Sequence, residues 1–290
     1  MELILSTIIN GLSLGGIYAM IALGYTMVYG IAKMLNFAHG DIIMVGAYTI
    51  YVFISMSNPL VAILCSVVVC VAMGILIEKI AYKPLRGASP LAVLITAIGV
   101  SYLLQSLAQI IFGSDPKYVV VFDLGAINIF GVRIQVFTLV TLAVTIVVMV
   151  ALTLFVKTTR IGRAMIAVSE DKGAAQLMGI NVNNIITVTF AIGSSLAALA
   201  GLFYLMKAPT VSSTLGAMPG IKAFTAAVIG GIGSIPGAML GGLLLGLVEC
   251  IATKITVIAP YTDAIEFSIL IIILLVRPTG FLGKKRREKV

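Results

Sequence analysis

The sequence predicts an all-α polytopic membrane protein of one domain, residues 1–290, on the evidence of its composition and its long apolar runs. Of its 290 residues, 60% are hydrophobic and 10% are charged, whereas soluble domains carry about 25% charged residues. Several runs reach the length of about 20 residues that a helix needs to cross a hydrocarbon core. These runs are continuous and do not alternate, which argues against a transmembrane β-barrel.

We expect about eight membrane-embedded segments. They are 4–29, 37–55, 60–78, 90–112, 135–156, 185–206, 222–250 and 264–276. Glycine pairs spaced four residues apart, such as Gly11 with Gly15 and Gly242 with Gly246, are typical of closely packed membrane helices.

The basic residues predict the orientation of the segments, because positive charge near span ends marks the cytoplasmic side. They cluster in loop 79–89, in segment 157–184 and in the tail 277–290, which we therefore place inside. Loop 113–134 then lies outside, and its β-branched alternation in YVVVF and INIFGVRI predicts a small hairpin there. Since the net charge of +8 is explained in this way, we expect no nucleic-acid partner.

Two polar or glycine-rich interruptions are expected to break the membrane segments. They read GIAKMLNFAHGD at 30–41 and GGIGSIPG at 230–237. Two simple spans, 222–250 and 264–276, would leave the tail outside, so the chain has to turn back within the first of them. A half-helix would enter from outside at Lys222, turn at the second interruption and leave again. We expect segment 4–29 to run outward and residues 42–55, after the first break, to return outside, so that both halves run in the same direction as a parallel repeat. Irregular backbone at membrane depth marks transport pathways.

Segment 157–184, which we call the docking segment, is the most polar internal stretch of the chain. It contains no proline and has an alanine-rich, helix-forming core, whereas flexible linkers are enriched in Pro, Ser and Gly. We expect its charged side to meet a protein partner while Ile166, Leu177 and Met178 anchor its other side. The sequence has no G-x-x-x-x-G-K-[ST] motif, so an ATP-driven motor would be a separate polypeptide.

Other ionisable residues leave alternatives open. Asn36 and Asp41 suit a polar cap of the first break that starts the next helix, whereas the pair of His39 and Asp41 would also suit a proton relay or an intramembrane protease. Glu249 and Glu266 suit interfacial ion pairs near Lys254 and Asp263, or else an ion-coupled carrier. The sequence has no recognisable catalytic motif, and its three cysteines lack metal-binding spacing, so we expect neither an enzyme nor a metal site.

Three blocks of the sequence resemble permease subunits of ABC importers for branched-chain amino acids. They are INGLSLGGIYAMIALGYTMVYGIAKMLNFAHGDIIMVGAY, GRAMIAVSEDKGAAQLMGINVNN and AFTAAVIGGIGSIPGAMLGGLLLGLVE. The resemblance implies a bacterial inner-membrane protein that pairs with a second, related permease. It also implies two ATPase subunits that bind the ATP, so that this chain needs no cofactor of its own. A substrate-binding protein would lie outside the membrane, and lipid would surround the permeases.

The resemblance also implies roles for individual residues. The ATPase-contacting element would contain Gly162, Arg163, Glu170, Asp171, Ala174, Gly179, Ile180 and Asn181. The substrate pathway would include Asn36, Phe37, His39, Gly40, Gly230, Gly231, Gly233 and Gly237. Related permeases for urea, short-chain amides and other amino acids share these blocks, and an ion-coupled carrier or a passive channel stays an alternative.

Overall fold

Eleven helices make up most of the computed structural model, which describes residues 2–129 and 132–283. They are α1 (Glu2–Ala32), α2 (His39–Ile54), α3 (Pro59–Ile77), α4 (Pro90–Phe112), α5 (Val136–Thr158), α6 (Arg160–Glu170), α7 (Lys172–Leu177), α8 (Val182–Lys207), α9 (Ala217–Gly230), α10 (Ile235–Ala252) and α11 (Thr262–Val276). A π-helical turn, Glu78–Tyr82, extends α3, and a 3₁₀ turn, Ala259–Tyr261, precedes α11.

Seven helical segments within the described residues are long and apolar enough to cross a membrane, and α2 and α9 are shorter apolar helices. The prediction of an all-α polytopic membrane protein is confirmed. Seven of the eight predicted segments correspond to one helix each, whereas 222–250 contains two, α9 and α10.

Within the described residues, four short strands lie in the loops. They are β1 (Lys117–Tyr118), β2 (Ala126–Ile129), β3 (Val132–Gln135) and β4 (Thr210–Val211). Strands β2 and β3 pair antiparallel, which confirms the hairpin predicted from the second β-branched run. The first run contributes differently, because Tyr118 belongs to β1, which pairs with β4 after α8.

The bundle has two ends, which we call proximal, where α6 and α7 lie, and distal, where the strands lie. The ammonium of Lys172, in α7, donates to the carbonyl of Ala32, the last residue of α1. Helix α1 therefore runs from the distal to the proximal end, and α8 leaves the proximal end in the opposite direction. The prediction that segment 4–29 runs outward from the side of the docking segment is thus wrong.

The helices α1–α4 and α8–α11 form two halves of inverted direction. In the first half, α3 packs antiparallel on α2 and against α8; in the second, α10 packs antiparallel on α9 and against α1. The predicted parallel repeat is therefore wrong. The two halves are inverted because α5 returns the chain to the proximal end before α8 begins. The second half therefore starts from the end where α1 finishes.

Glycines allow close packing of α1 on α10. A methyl group on Gly15 would lie 2.7 Å from the Leu243 Cα, and one on Gly246 would collide with the Gly15 backbone nitrogen. The glycine spacings in the sequence thus do mark a helix–helix contact, as small residues do in membranes.

The turn between α9 and α10 lies at the proximal end. Gly231 and Gly233 adopt positive φ angles of 104° and 94°, which glycine adopts without steric cost. The Ser234 hydroxyl then accepts from the Gly237 backbone N–H and caps α10. After α11, the backbone N–H of Phe281 donates to Ile229 at 2.9 Å, so the chain returns to the proximal end. The basic tail residues Lys284–Lys289 lie outside the described residues.

Candidate functional site

The docking segment folds as two short helices at the proximal end. The Thr159 hydroxyl accepts from the Gly162 N–H at 3.0 Å and caps α6. The Asp171 carboxylate accepts from the N–H groups of Gly173 and Ala174, at 2.8 and 3.0 Å, and caps α7. Because Asp171 itself has an extended backbone, φ −152° and ψ 113°, it separates the two helices.

One face of these helices packs on the bundle. Met165, Val168 and Ala175 are buried there. Gly162 is buried too, and a methyl group at this position would collide with the carbonyl oxygens of Phe155 and Val156 in α5. Gly162 therefore permits the sharp corner between α5 and α6.

The opposite face exposes large apolar side chains. Ile166 is 44% exposed, Leu177 90% and Met178 82%. The prediction that these three residues anchor the segment is wrong, because Met165, Val168 and Ala175 already take the inward positions of α6 and α7. Apolar surface that projects away from the membrane-crossing helices is typical of a protein-binding site.

The residues predicted for ATPase contact are mostly accessible. Arg163, Glu170, Asp171, Ala174, Gly179 and Asn181 are exposed, Ile180 is half-buried, and Gly162 is buried. Gly179 has a φ of 81° and ends α7, and the Asn181 side chain caps α8 by accepting from the Asn184 N–H at 3.2 Å. Their contact with an ATPase stays a prediction.

Lys172 connects this segment to α1. Its Nζ donates to the Ala32 carbonyl oxygen at 2.8 Å. Partial burial, and secondarily the positive charge of Arg86, lower the pKa of the Lys172 ammonium. The carbonyl dipole at the end of α1 offsets part of this cost, because a cation near a helix C-terminus is stabilised.

The first predicted break lies between α1 and α2, where Lys33 has a φ of 60°. The Tyr82 hydroxyl donates to Asn36 Oδ1 at 2.8 Å and ties the break to the π-helical turn. The Phe37 ring lies 5.2 Å from that of Phe224 in α9. The break is therefore built into the bundle from two sides.

Helix α2 begins deep inside the bundle. His39 packs against Gly24 of α1, eight residues or about 12 Å before the end of that helix. Its ring lies edge-on to Tyr25, with centroids 4.8 Å apart. A methyl group on Gly40 would lie 2.5 Å from the carbonyl oxygen of Gly216, directly before α9. The starts of the two short helices thus meet.

Asp41 is a buried carboxylate in the first turn of α2. Its side chain is 1% exposed and accepts from Gln105 Nε2, on α4, at 2.9 Å. The sequence signal for Asp41 was its place beside His39 in the break. The pairing with Gln105 has no signal in the sequence, because the two residues are 64 positions apart.

The second predicted break packs tightly. Gly230 and Gly237 lie so close that a methyl group on either would collide with the backbone of the other. Leu35 and Asn36 of the first break line the same small cavity as Ile232 of the second, a space of about 10 Å³. The structure thus brings the two breaks together, and their role in a substrate pathway stays a prediction. No group of three or more His, Cys, Asp or Glu side chains within the described residues could hold a metal ion.

A charged cluster at the distal end joins α9, α10 and α11. Lys222 Nζ lies 2.8 Å from Asp263, 3.2 Å from Glu249 and 3.3 Å from Glu266. Tyr18 of α1 donates to Glu249 at 2.7 Å. The sequence placed Glu249 and Glu266 near Lys254, but their partner is Lys222, because α9 turns back alongside α10.

These features define a multi-pass α-helical membrane protein with two inverted halves and a helical segment that projects at one end, an architecture of transporters. The family of permease components of branched-chain amino acid transport systems matches residues 7–274, and the chain belongs to this family.

Curated relatives match over nearly the whole chain. The chain is 45% identical to the high-affinity branched-chain amino acid transport system permease protein BraD of Pseudomonas aeruginosa, covering 99% of this chain and 98% of that one. It is 42% identical to the corresponding protein LivH of Salmonella typhimurium and 41% to LivH of Escherichia coli K12, in each case over 99% of this chain and 97% of the relative.

Proposed function

We propose that the chain is the permease subunit of an ABC importer that moves branched-chain amino acids across the bacterial inner membrane. The observation that carries this proposal is identity of 41–45% over nearly the full length to permeases named for that transport. The inverted halves and the contact between the starts of α2 and α9 support a transport role, because half-helices in transporters meet near the substrate path.

The chain would not be an enzyme, and ATP would be bound and hydrolysed by two separate ATPase subunits docked at the proximal end. The exposed Leu177 and Met178 support this assignment, because they offer an apolar contact surface beside the exposed charges of Glu170 and Arg163. The proximal end would be cytoplasmic, and with it the C-terminal tail.

The remaining partners would be a second, related permease and a substrate-binding protein at the distal, outer end. The exposed apolar sides of α4, α5 and α11 would contact lipid or the second permease, and no nucleic acid would be bound. The space between the breaks has an aromatic and aliphatic lining, formed by Tyr25, Phe224 and Ile232 with others, which suits branched aliphatic side chains in its chemistry. At about 10 Å³ it holds no more than about one water molecule in this structure, so it would have to open to admit a substrate.

Reconstitution of the whole importer in liposomes tests the function. We expect ATP-dependent uptake of leucine, isoleucine and valine, in excess over urea and acetamide, when binding protein and ATP are supplied. Uptake by this chain alone, driven by a proton or sodium gradient, would instead support an ion-coupled carrier, and preferential uptake of urea or acetamide would contradict the amino-acid assignment.

A substitution tests the docking surface. Leu177→Asp with Met178→Asp should reduce co-purification of the ATPase subunits by about tenfold or more, because two desolvated apolar contacts of this size are worth over 1.4 kcal/mol. The matched control is Tyr118→Asp with Val257→Asp, two exposed positions at the distal end, in β1 and in the loop after α10. Equal co-purification in both variants would contradict docking through α7.

A further inference from the structure

Lys172 joins the docking segment to the first break. It is the first residue of α7, and it reaches across 140 positions of sequence to the Ala32 carbonyl, at 2.8 Å. The last carbonyl groups of a helix have no partner within the helix and carry partial negative charge. The Lys172 ammonium is therefore held at the end of α1 by both a hydrogen bond and the helix dipole.

The residues that follow Ala32 connect this contact to the start of α2. Lys33 follows Ala32 with a positive φ of 60°, so the chain changes direction directly after the contact. Asn36, three residues further, is buried and held by Tyr82. A displacement of the Ala32 carbonyl therefore reaches the break and the start of α2 within seven residues.

On the other side of the contact, α7 is a single short helix. Lys172 begins it, Ala175 packs it on the bundle, and Leu177 ends it with its side chain 90% exposed. A helix of six residues is about 9 Å long, so fewer than two helical turns join Lys172 to Leu177. A partner that moves Leu177 and Met178 therefore moves Lys172 as well.

We propose that Lys172 is a positioning residue of the transport cycle, which transmits movement of α7 to the end of α1 and so to the first break. This inference rests on the proposed docking of ATPase subunits to α7. Lys172 is not among the residues that the resemblance assigns to ATPase contact, and in the structure its ammonium faces the end of α1 and not the exposed tip.

The test compares three variants in the reconstituted importer with leucine as substrate. Lys172→Met removes the donor and keeps the aliphatic stem, Lys172→Arg keeps a cationic donor, and Lys157→Met removes an exposed charge from the same segment. We expect Lys172→Met to lower the number of leucine molecules imported per ATP hydrolysed by about fivefold or more, with ATPase subunits still bound and hydrolysing. Lys172→Arg should keep at least half of the unmodified importer's ratio of leucine imported to ATP hydrolysed, and Lys157→Met should leave that ratio unchanged.

Three results would overturn the inference: an unchanged ratio in Lys172→Met, an equal loss in Lys157→Met, or failure of Lys172→Met to assemble while Lys172→Arg assembles, which would make Lys172 a stability residue. Failure of the docking proposal has a different signature. In that case the Leu177 and Met178 substitutions leave ATPase co-purification intact, whatever the ratio measured for Lys172→Met.

Discussion

Asp171 caps α7 and is also one of the residues proposed to contact an ATPase subunit, so charge reversal there would change both. Its carboxylate caps α7 through two backbone N–H groups, so loss of transport after a combined change of Glu170 and Asp171 to Lys would not by itself report on an ATPase contact. Variants that separate the cap from the charge are more informative.

We expect Asp171→Asn to keep the cap and Asp171→Ala to destabilise α7 by about 1 kcal/mol, because Asn caps helices as well as Asp whereas Ala does not. Hydrogen exchange of the α7 amide groups measures the difference. If the negative charge itself contacts the ATPase, Asp171→Asn lowers ATPase affinity without a rise in exchange. Equal exchange in the Ala and Asn variants would contradict the capping role.

Gly246 offers a test of the α1–α10 contact. In an open helix, Gly→Ala stabilises by about 1 kcal/mol, but a methyl group here would collide with the Gly15 backbone. We therefore expect Gly246→Ala to lower the midpoint of thermal unfolding in detergent, whereas Gly99→Ala, with no atom within 4 Å of the new methyl group, should not lower it. A midpoint for Gly246→Ala at or above that of Gly99→Ala would contradict the packing.

The direction and the partners of individual side chains could not be predicted from the sequence. The alanine-rich core and the charges of the docking segment predicted a helical surface element, but the direction of Leu177 and Met178 depends on which residues of α6 and α7 meet the bundle. Likewise, Asp41 stands out in the sequence as a carboxylate in an apolar stretch. Its partner Gln105 does not, because the pairing depends on how α2 lies along α4.

At the scale of elements, the Lys222 cluster fixes α9 to its neighbours. The side chains of Lys222 and Glu266 are 8% and 0% exposed, and three carboxylates share this one ammonium. Removing one partner of a buried ion pair leaves an uncompensated charge, whereas the pair itself contributes little to stability.

Lys222→Met should therefore destabilise the protein by about 3–5 kcal/mol, measured by thermal unfolding of the purified importer. Adding Glu266→Gln to that variant should recover part of the loss, because it removes the carboxylate left without a counter-charge. Lys254→Met, at an exposed position beyond the end of α10, is the matched control. No loss in Lys222→Met would contradict a role for the cluster in holding α9.

Most elements could be predicted from the sequence because membrane helices are recognisable by the length and hydropathy of their apolar runs. The exception was 222–250, where α9 and α10 are both apolar and only GGIGSIPG marks the turn between them. The glycines predicted the break, but the pairing of α9 with α10 depends on tertiary contacts such as Gly230 with Gly237.

At the scale of the whole molecule, the basic clusters predicted that loops 79–89 and 157–184 lie at the same end, and both are proximal in the structure. The predicted direction of α1 was wrong, because no charge cluster marks either end of this helix. The sequence of the break after α1 is compatible with either direction. The contact of Lys172 with Ala32 decides between them.

Cysteine labelling of intact cells tests the arrangement of the ends. In a background with Cys65, Cys70 and Cys250 replaced by alanine, Ser57→Cys and Lys254→Cys at the distal end should react with an impermeant maleimide added outside. Gln176→Cys in α7 should react only after permeabilisation. Protection of Ser57→Cys or Lys254→Cys in intact cells would contradict the assignment of the distal end to the outside.

The short helices α2 and α9 bear on how the protein enters the membrane during synthesis. At 16 and 14 residues, they are about 24 and 21 Å long, less than the hydrocarbon thickness of about 30 Å. Neither can leave the translocon into lipid by itself, since its deep end would expose unpaired backbone groups. Each therefore has to be released together with the longer helix that follows, α3 or α10, as a helical hairpin.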